Sequence, residues 1–240
     1  KVRRAVATAI DRQAIVRALF RGRADLAESI LPPGSWAADP GIPPLRSDPA
    51  LARRLLDEAG YPDPDGDGPL PRLRLTYKTS QNELRRRVAV AIQEQLRQVG
   101  IAVEVHSLEW GTFFSDVRKG NFQLYSLTWV GISDPDIFHL AFHSACVPPA
   151  GANRGGYSDP EVDRLTTSAR RDAAPDRRRQ MYRQVQRILA RDLPVFPLWA
   201  GRNVLVRDRR LAGFAVTPDE SYSSVASMRI LPAAEAGAAR

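Results

Sequence analysis

An α/β fold built on one βαβαβ unit is what this sequence predicts, and three observations carry it. Leu73 to Lys78 alternates apolar and polar residues as a strand does, with Leu73, Leu75 and Tyr77 on one side. Asn82 to Val99 then lines Leu84, Val88, Ile92, Leu96 and Val99 along one helical face, and Gly100 stops it before a second strand, Ile101 to Val105. Trp110 to Lys119 reads as a short helix closed by Gly120 and Asn121, and Phe122 to Trp129 as a third strand. Strands alternating with helices at this spacing run parallel and connect by right-handed crossovers.

The elements before this unit are helical. Arg3 to Phe20 reads as one helix, with Ala5, Ala9, Ile10, Ile15 and Leu19 on one side and Gly22 ending it. Residues 23–47 are rich in Pro and Gly and predict an irregular loop, in which Trp36 needs a packing partner. Asp48 is placed to cap a helix that has Pro49 at its first position, Leu51, Leu55 and Leu56 on its apolar side and Gly60 at its end. The run from Asp63 to Gly68 begins like a calcium loop. Its twelfth position, which should hold a bidentate Glu, is Arg74, so a solvated turn is expected.

After the unit, Asp159-Pro160 starts a helix that includes Val162 to Ala169, and Asp176 to Arg191 forms another. Strands are expected at Val195 to Trp199, at Val204 to Arg207 and over Leu211 to Val216. No helix is expected between 200 and 230, and residues 233–240, rich in Ala and Gly, are expected to be disordered.

Composition narrows the function classes. Apolar residues make up 43% of 240, ordinary for a globular core, and no apolar run approaches the ~20 residues that span a bilayer. The basic cluster at the start is interrupted by Asp11, Arg12 and Arg17, so it does not read as a signal peptide. The net charge is +8, and nearly all of the 35 basic residues are Arg. The densest run, Arg177 to Arg179 with Arg183, Arg187 and Arg191, flanks an apolar stripe of Met181, Val185, Ile188 and Leu189. That is the solvated face of a core-packing helix, with no nucleic-acid motif beside it. A single cysteine, Cys146, excludes an internal disulfide and a zinc site built on thiolates. His139 and His143, four residues apart, are able to face one metal from a helix. No third ligand is indicated, so no metal is expected.

The turn W-V-G-I-S-D-P-D, Trp129 to Asp136, follows the third strand, and N-R-G-G-Y-S-D-P, Asn153 to Pro160, opens the next helix. Open α/β sheets hold ligands beyond the carboxyl ends of their strands. Trp129 either stacks on a ligand or plugs the sheet end. Asp134 either binds a cationic group or caps the helix that Pro135 begins, and Asp136 complements that helix's dipole. Asn153 and Arg154 either face a cleft or serve a turn. Trp110 either lines the cleft or is a buried lid. Tyr182 and Gln186 support packing. A nucleophile set made from Ser133, Asp134 and His139 lacks the G-x-S-x-G elbow, so no catalytic residue is expected.

These segments, in this order, resemble the family 5 solute-binding proteins of ATP-binding-cassette importers, the dipeptide, oligopeptide and nickel group. The resemblance rests on V-R-R-A-V-A-T-A-I-D-R, A-G-Y-P-D, E-Q-L-R-Q-V-G-I, W-V-G-I-S-D-P-D, N-R-G-G-Y-S-D-P-E-V-D-R-L and R-R-Q-M-Y-R-Q-V-Q-R-I-L-A-R-D-L-P-V-F-P-L, and covers about residues 1–230. It implies a periplasmic-binding-protein-like lobe of type II with a βαβαβ core and a β-rich return segment. Residues 1–200 would be the second α/β lobe of a two-lobe protein, and 201–232 return strands to a first lobe not contained in this chain.

The implied function is extracytoplasmic capture of a peptide-like or other small solute for an importer, with no chemistry and no cofactor. The implied partners are the ligand and the importer's permease, with no nucleic acid, membrane contact only through the permease or a lipid anchor outside this chain, and a monomeric state. The implied location is periplasmic or extracellular and membrane-anchored. The implied ligand-binding set is Trp129, Gly131, Ile132, Asp134, Trp110, Asn153 and Arg154. In peptide-binding relatives an Asp three residues after the Trp holds the ligand's amino terminus; here Ile132 stands in that place and cannot hold an ammonium group. A solute-sensing domain of a transcription regulator is the alternative, and a hydrolase a more distant one.

Overall fold

In the computed structural model, residues 1–32, 34–66, 68–217 and 222–232 are described. The expected first helix is two helices, α1 (Val2–Ala9) and α2 (Arg12–Phe20). Asp11 breaks them: Ile10 is extended, and the Asp11 carboxylate caps α2 by accepting from the Ala14 amide at 2.9 Å. The 23–47 segment also holds a strand, β1 (Ala24–Leu26), whose partner lies some 175 residues away and so leaves no local signal. α3 (Pro49–Asp57) starts at Asp48 as expected, with the carboxylate on the Leu51 amide. The Asp63 carboxylate is taken up by the Asp65 and Gly66 amides and by Arg72, a turn rather than an ion site.

The central unit is β2 (Leu73–Ser80), α4 (Glu83–Arg97), β3 (Ile101–Leu108), α5 (Trp110–Arg118) and β4 (Leu124–Tyr125). All three strands are parallel, in the order β3-β2-β4. Register runs from Leu73 opposite Ile101 to Ser80 opposite Leu108, and Tyr77 faces Leu124. The third strand is far shorter than Phe122 to Trp129. The Gln123 side chain takes the Thr76 amide at 2.7 Å, replacing a backbone partner, and beyond Tyr125 the chain leaves the sheet. Val88, Ile92, Leu96 and Val99 are buried against the sheet, but Leu84 is 41% exposed, because the first turn of α4 overhangs the sheet's carboxyl edge. Ile15, Leu56, Tyr77 and Ile101 complete this core.

A second core is helical. α6 (Ile137–Phe142), α7 (Pro160–Arg171) and α8 (Pro175–Asp192) bury Phe138, Phe142, Val162, Leu165, Tyr182 and Val185. Asp159 caps α7 through the Glu161 and Val162 amides. Gln186 is buried and donates to the Ala37 and Tyr182 carbonyls. Trp36 finds its partners on α8: it meets Tyr182 edge-on, with the Arg178 guanidinium 5.4 Å over its ring. Most of the α8 arginines are spent on this chain's own carboxylates: Arg177 on Asp172, Arg178 on Asp134, Arg179 on Asp176, Arg187 on Asp39 and Arg191 on Asp192.

The carboxyl-terminal strands differ most from expectation. β5 is Trp199–Gly201, antiparallel to β1; Pro197 denies a backbone donor to the expected Val195 to Trp199. Val204 to Arg207 forms no strand and Val206 is 92% exposed. Of the strand expected over Leu211 to Val216, β6 (Leu211–Ala212) pairs, with β7 (Arg229–Ile230), and a short 3-10 turn occupies Ser223–Ser227. The tail expected to be disordered, 233–240, lies outside the described residues. Among the described residues no helix is long and apolar enough to cross a membrane.

Candidate functional site

Strand order fixes where a ligand can sit. The chain steps from β2 outward to β3, then crosses back to β4 on the other side of β2. Right-handed crossovers put α4 and α5 on opposite faces, and the strand order reverses between β2 and β4, the point at whose carboxyl ends open α/β sheets hold ligands. Ser80 ends β2, Ser126 follows β4, and the turn carrying Trp129 and Gly131 leaves from that edge. The Tyr77 hydroxyl donates to Ser126 Oγ at 2.7 Å across the gap.

At this edge a continuous ladder of cations and rings assembles. The Arg85 guanidinium, hydrogen-bonded to Ser80 Oγ at 3.2 Å, lies 5.1 Å from the Trp110 ring. Trp110, 47% exposed, stacks on Phe114 with centroids 5.5 Å apart and planes within 10°. Arg154 sits between Phe114, at 5.4 Å, and Trp129, at 5.1 Å. Among the described residues no carboxylate pairs with Arg154. Three candidates from distant parts of the sequence, Trp110, Trp129 and Arg154, therefore meet in one place. Sequence reading missed Phe114 and Arg85. Phe114 was findable, since it lies four residues after Trp110 on one helical face.

The other candidates lie outside this ladder. Asn153 is buried at 2% exposure. Its Nδ2 donates to the His143 and Tyr157 carbonyls at 3.1 and 2.7 Å, and its Oδ1 accepts from the Tyr157 amide at 2.9 Å. Asp134 accepts from the Asp136 amide at 2.9 Å and pairs with Arg178 at 2.9 Å, which anchors the turn to α8. The helix begins at Ile137, and Asp136, which holds the cap position without a side-chain cap bond, pairs with Arg170. Ile132 packs on the helical core. Gly131 is exposed at φ 67°, a left-handed conformation that a side chain would strain.

The loop bearing Arg154 is held at its far end by Tyr157, whose hydroxyl donates to Asp192 Oδ2 at 2.7 Å. Burial, then the neighbouring Asp192, pushes the phenol far above its usual value, while Arg191 and this hydroxyl hold the Asp192 carboxyl below its usual range. A depressed carboxyl contributes stability above its unfolded pKa and loses it as pH falls; a raised phenol contributes below its unfolded pKa and loses it as pH rises. The tie should thus act on a plateau from about pH 4 to about pH 10. The stability difference between the native chain and Tyr157→Phe, from urea midpoints, should be constant within that window and shrink on both sides. A difference that does not vary with pH would refute the tie.

A cavity of ≈ 510 Å³ opens elsewhere, between α8, residues 28–45 and the 193–197 segment. None of the predicted site residues lines it. Its walls are mostly apolar (Ile42, Phe138, Phe142, Leu189, Phe196), and its carboxylate, Glu28, is taken by Arg12. The expectation of no third donor beside the two histidines is corrected. Beyond α6 the chain turns at His143 and a 3-10 turn, Ser144–Cys146, brings Cys146 back to them.

A parallel sheet whose strand order reverses at β2, with aromatic rings and guanidinium groups gathered at its carboxyl edge, has the architecture on which open α/β folds hold ligands. The family model of the bacterial extracellular solute-binding proteins, family 5 (middle), matches residues 1–147, and the chain belongs to that family. It is 30% identical over 234 residues to the oligopeptide-binding protein AppA of Bacillus subtilis, covering 94% of this chain and 43% of that protein. It is 29% identical over 219 residues to a dipeptide-binding protein of Pseudomonas aeruginosa, covering 91% of this chain and 40% of that one. The structure of AppA in complex with a nonapeptide superposes with a TM-score of 0.82 at 27% identity, over 96% of this chain and 47% of that one. The chain thus spans less than half the length of the relatives it matches.

Proposed function

We propose that residues 1–200 are the second α/β lobe of a two-lobe extracytoplasmic solute-binding protein, and that residues 201–232 return to its first lobe. The protein captures a small solute, closes on it and presents it, unaltered, to an importer's permease. The observation that carries this reading is the ladder Arg85–Trp110–Phe114–Arg154–Trp129 at the sheet's switch point. The exposed Val204 and Val206 fit a segment whose strand partners lie on the other lobe.

The ladder also bears on the solute. It offers aromatic faces and a guanidinium that, among the described residues, has no carboxylate partner, while Ile132 offers nothing to an ammonium. A solute with a carboxylate or a flat π surface suits these groups, and AppA, seen with a nonapeptide, shows that this fold accommodates peptides in a relative.

The test is calorimetric titration of the complete two-lobe protein with a panel of peptides and other small anions. For the best ligand, Trp129→Ala and Arg154→Gln should each weaken binding about tenfold or more, ~1.4 kcal/mol. The melting temperature of the unliganded protein should hardly move. Unchanged affinity in both variants would remove this edge from the binding site.

A further inference from the structure

We propose that His139, His143 and Cys146 form a binding site for a transition-metal ion of borderline to soft character, such as Zn²⁺, apart from the solute-binding edge. The chain contains three histidines and one cysteine, and three of these four side chains converge so that one donor atom of each lies within 4.8 Å of the others. Cys146 Sγ is 3.4 Å from His139 Nδ1. With Zn–S of ~2.3 Å and Zn–N of ~2.0–2.1 Å, sulfur and nitrogen of a tetrahedral site lie roughly 3.5 Å apart, so this pair already stands at ligating separation. The imidazoles of His139 and His143 are one helical turn apart, centroids 4.4 Å. A thiolate with two imidazoles selects Zn²⁺, Co²⁺ or Cu⁺ over Mg²⁺ or Ca²⁺.

The surroundings supply an outer shell. Asp163 Oδ1 lies 3.8 Å from His143 Nδ1, placed to accept from that nitrogen once the other ligates, and the carboxylate is fixed by the Ser144 amide on Oδ1 and the Ser144 hydroxyl on Oδ2. His143 now accepts from the Ala145 amide and lies 3.2 Å from Thr167 Oγ1, so ligation requires a ring rotation that gives up one of these. A cation already rests here: Arg170 Nη1 is 3.1 Å from His139 Nδ1. Its Nε lies 3.2 Å from Asp136 Oδ1 as an ion pair, so the guanidinium can withdraw from the imidazole and keep that pair. Cys146 is buried, and a metal would take it as the thiolate.

Because Cys146 is the chain's single cysteine, sulfur chemistry reports this site alone. Titrating the metal-stripped chain with Co²⁺ should give a thiolate-to-cobalt charge-transfer band that saturates at one equivalent and is bleached by Zn²⁺. Cys146→Ser should abolish the band, and His139→Ala and His143→Ala should each raise the Co²⁺ dissociation constant at least tenfold. Zn²⁺ should also slow modification of Cys146 by a thiol reagent in the unaltered chain, a measurement that needs no variant to fold. No band and no protection at a hundredfold excess of metal would overturn the site. So would a band of unchanged affinity in both histidine variants, which would mean a thiolate binding metal on its own. Neither result bears on the solute, since the metal alone is the probe.

Discussion

Replacing Arg12 by leucine is expected to cost about 3–5 kcal/mol, the usual penalty for removing one partner of a buried charged network. Arg12 is 3% exposed on α2. Its Nη1 donates to the Ala27 and Pro197 carbonyls, its Nη2 to Glu28 Oε1 at 2.8 Å and to the Leu45 carbonyl at 2.9 Å, and Phe196 lies under its plane at 4.8 Å. One planar group thus joins a helix to the 27–45 loop and to the strand-entry segment at 197. Leucine fills part of the space but leaves three carbonyls and a partly buried carboxylate without their donor. Arg12→Lys should recover only part of the loss, since one ammonium cannot reach both sides of the fork. The check is a urea unfolding series, with hydrogen exchange at Asp25 and Ala200 of the β1–β5 ladder as a local readout. A loss below about 1 kcal/mol would show that water replaces the guanidinium without penalty.

Arg12 also marks the limit of what the sequence discloses. Its neighbours suggest a solvated helix face, and nothing local reveals that it is buried by segments 15 to 185 residues away. The same holds for β1, three residues long and paired with β5. Legible features were those with local physics. The apolar period of α4 and the Asp-Pro starts of α3 and α7 each repeat a short-range rule, and so does the alternation in β2. The split at Asp11 was legible in principle, as a capping residue inside a helical pattern, but the apolar period continued across it. β4 was overread because apolar content marks burial and not pairing: Trp129 is partly buried on the helical core rather than in a ladder. At the site, residue type pointed to Trp129, Trp110 and Arg154. Their meeting depends on the 153–157 loop returning over α5, which is tertiary. Cys146 joins the two histidines only because the chain reverses after α6.

Asn153 separates a strut from a contact, and its substitution has the second large effect expected here. Asn153→Ala removes three hydrogen bonds from a position 2% exposed and strands both backbone groups of Tyr157, while the His143 carbonyl keeps the Cys146 amide. At about 1 kcal/mol per bond, more where a backbone group stays buried and unpaired, the loss should be about 2–4 kcal/mol. Asn153→Asp should be worse still, because it aims a carboxylate oxygen at two carbonyls. Arg154 is the next residue, so the ladder loosens with the loop, and solute affinity should fall together with stability. Arg154→Gln should lower affinity and leave the melting temperature almost unchanged. Measuring both quantities for both variants in the complete protein separates the two roles. If Asn153→Ala weakened binding while the unliganded melting temperature held, Asn153 would be touching the solute. The loop would then have to open in solution to expose it.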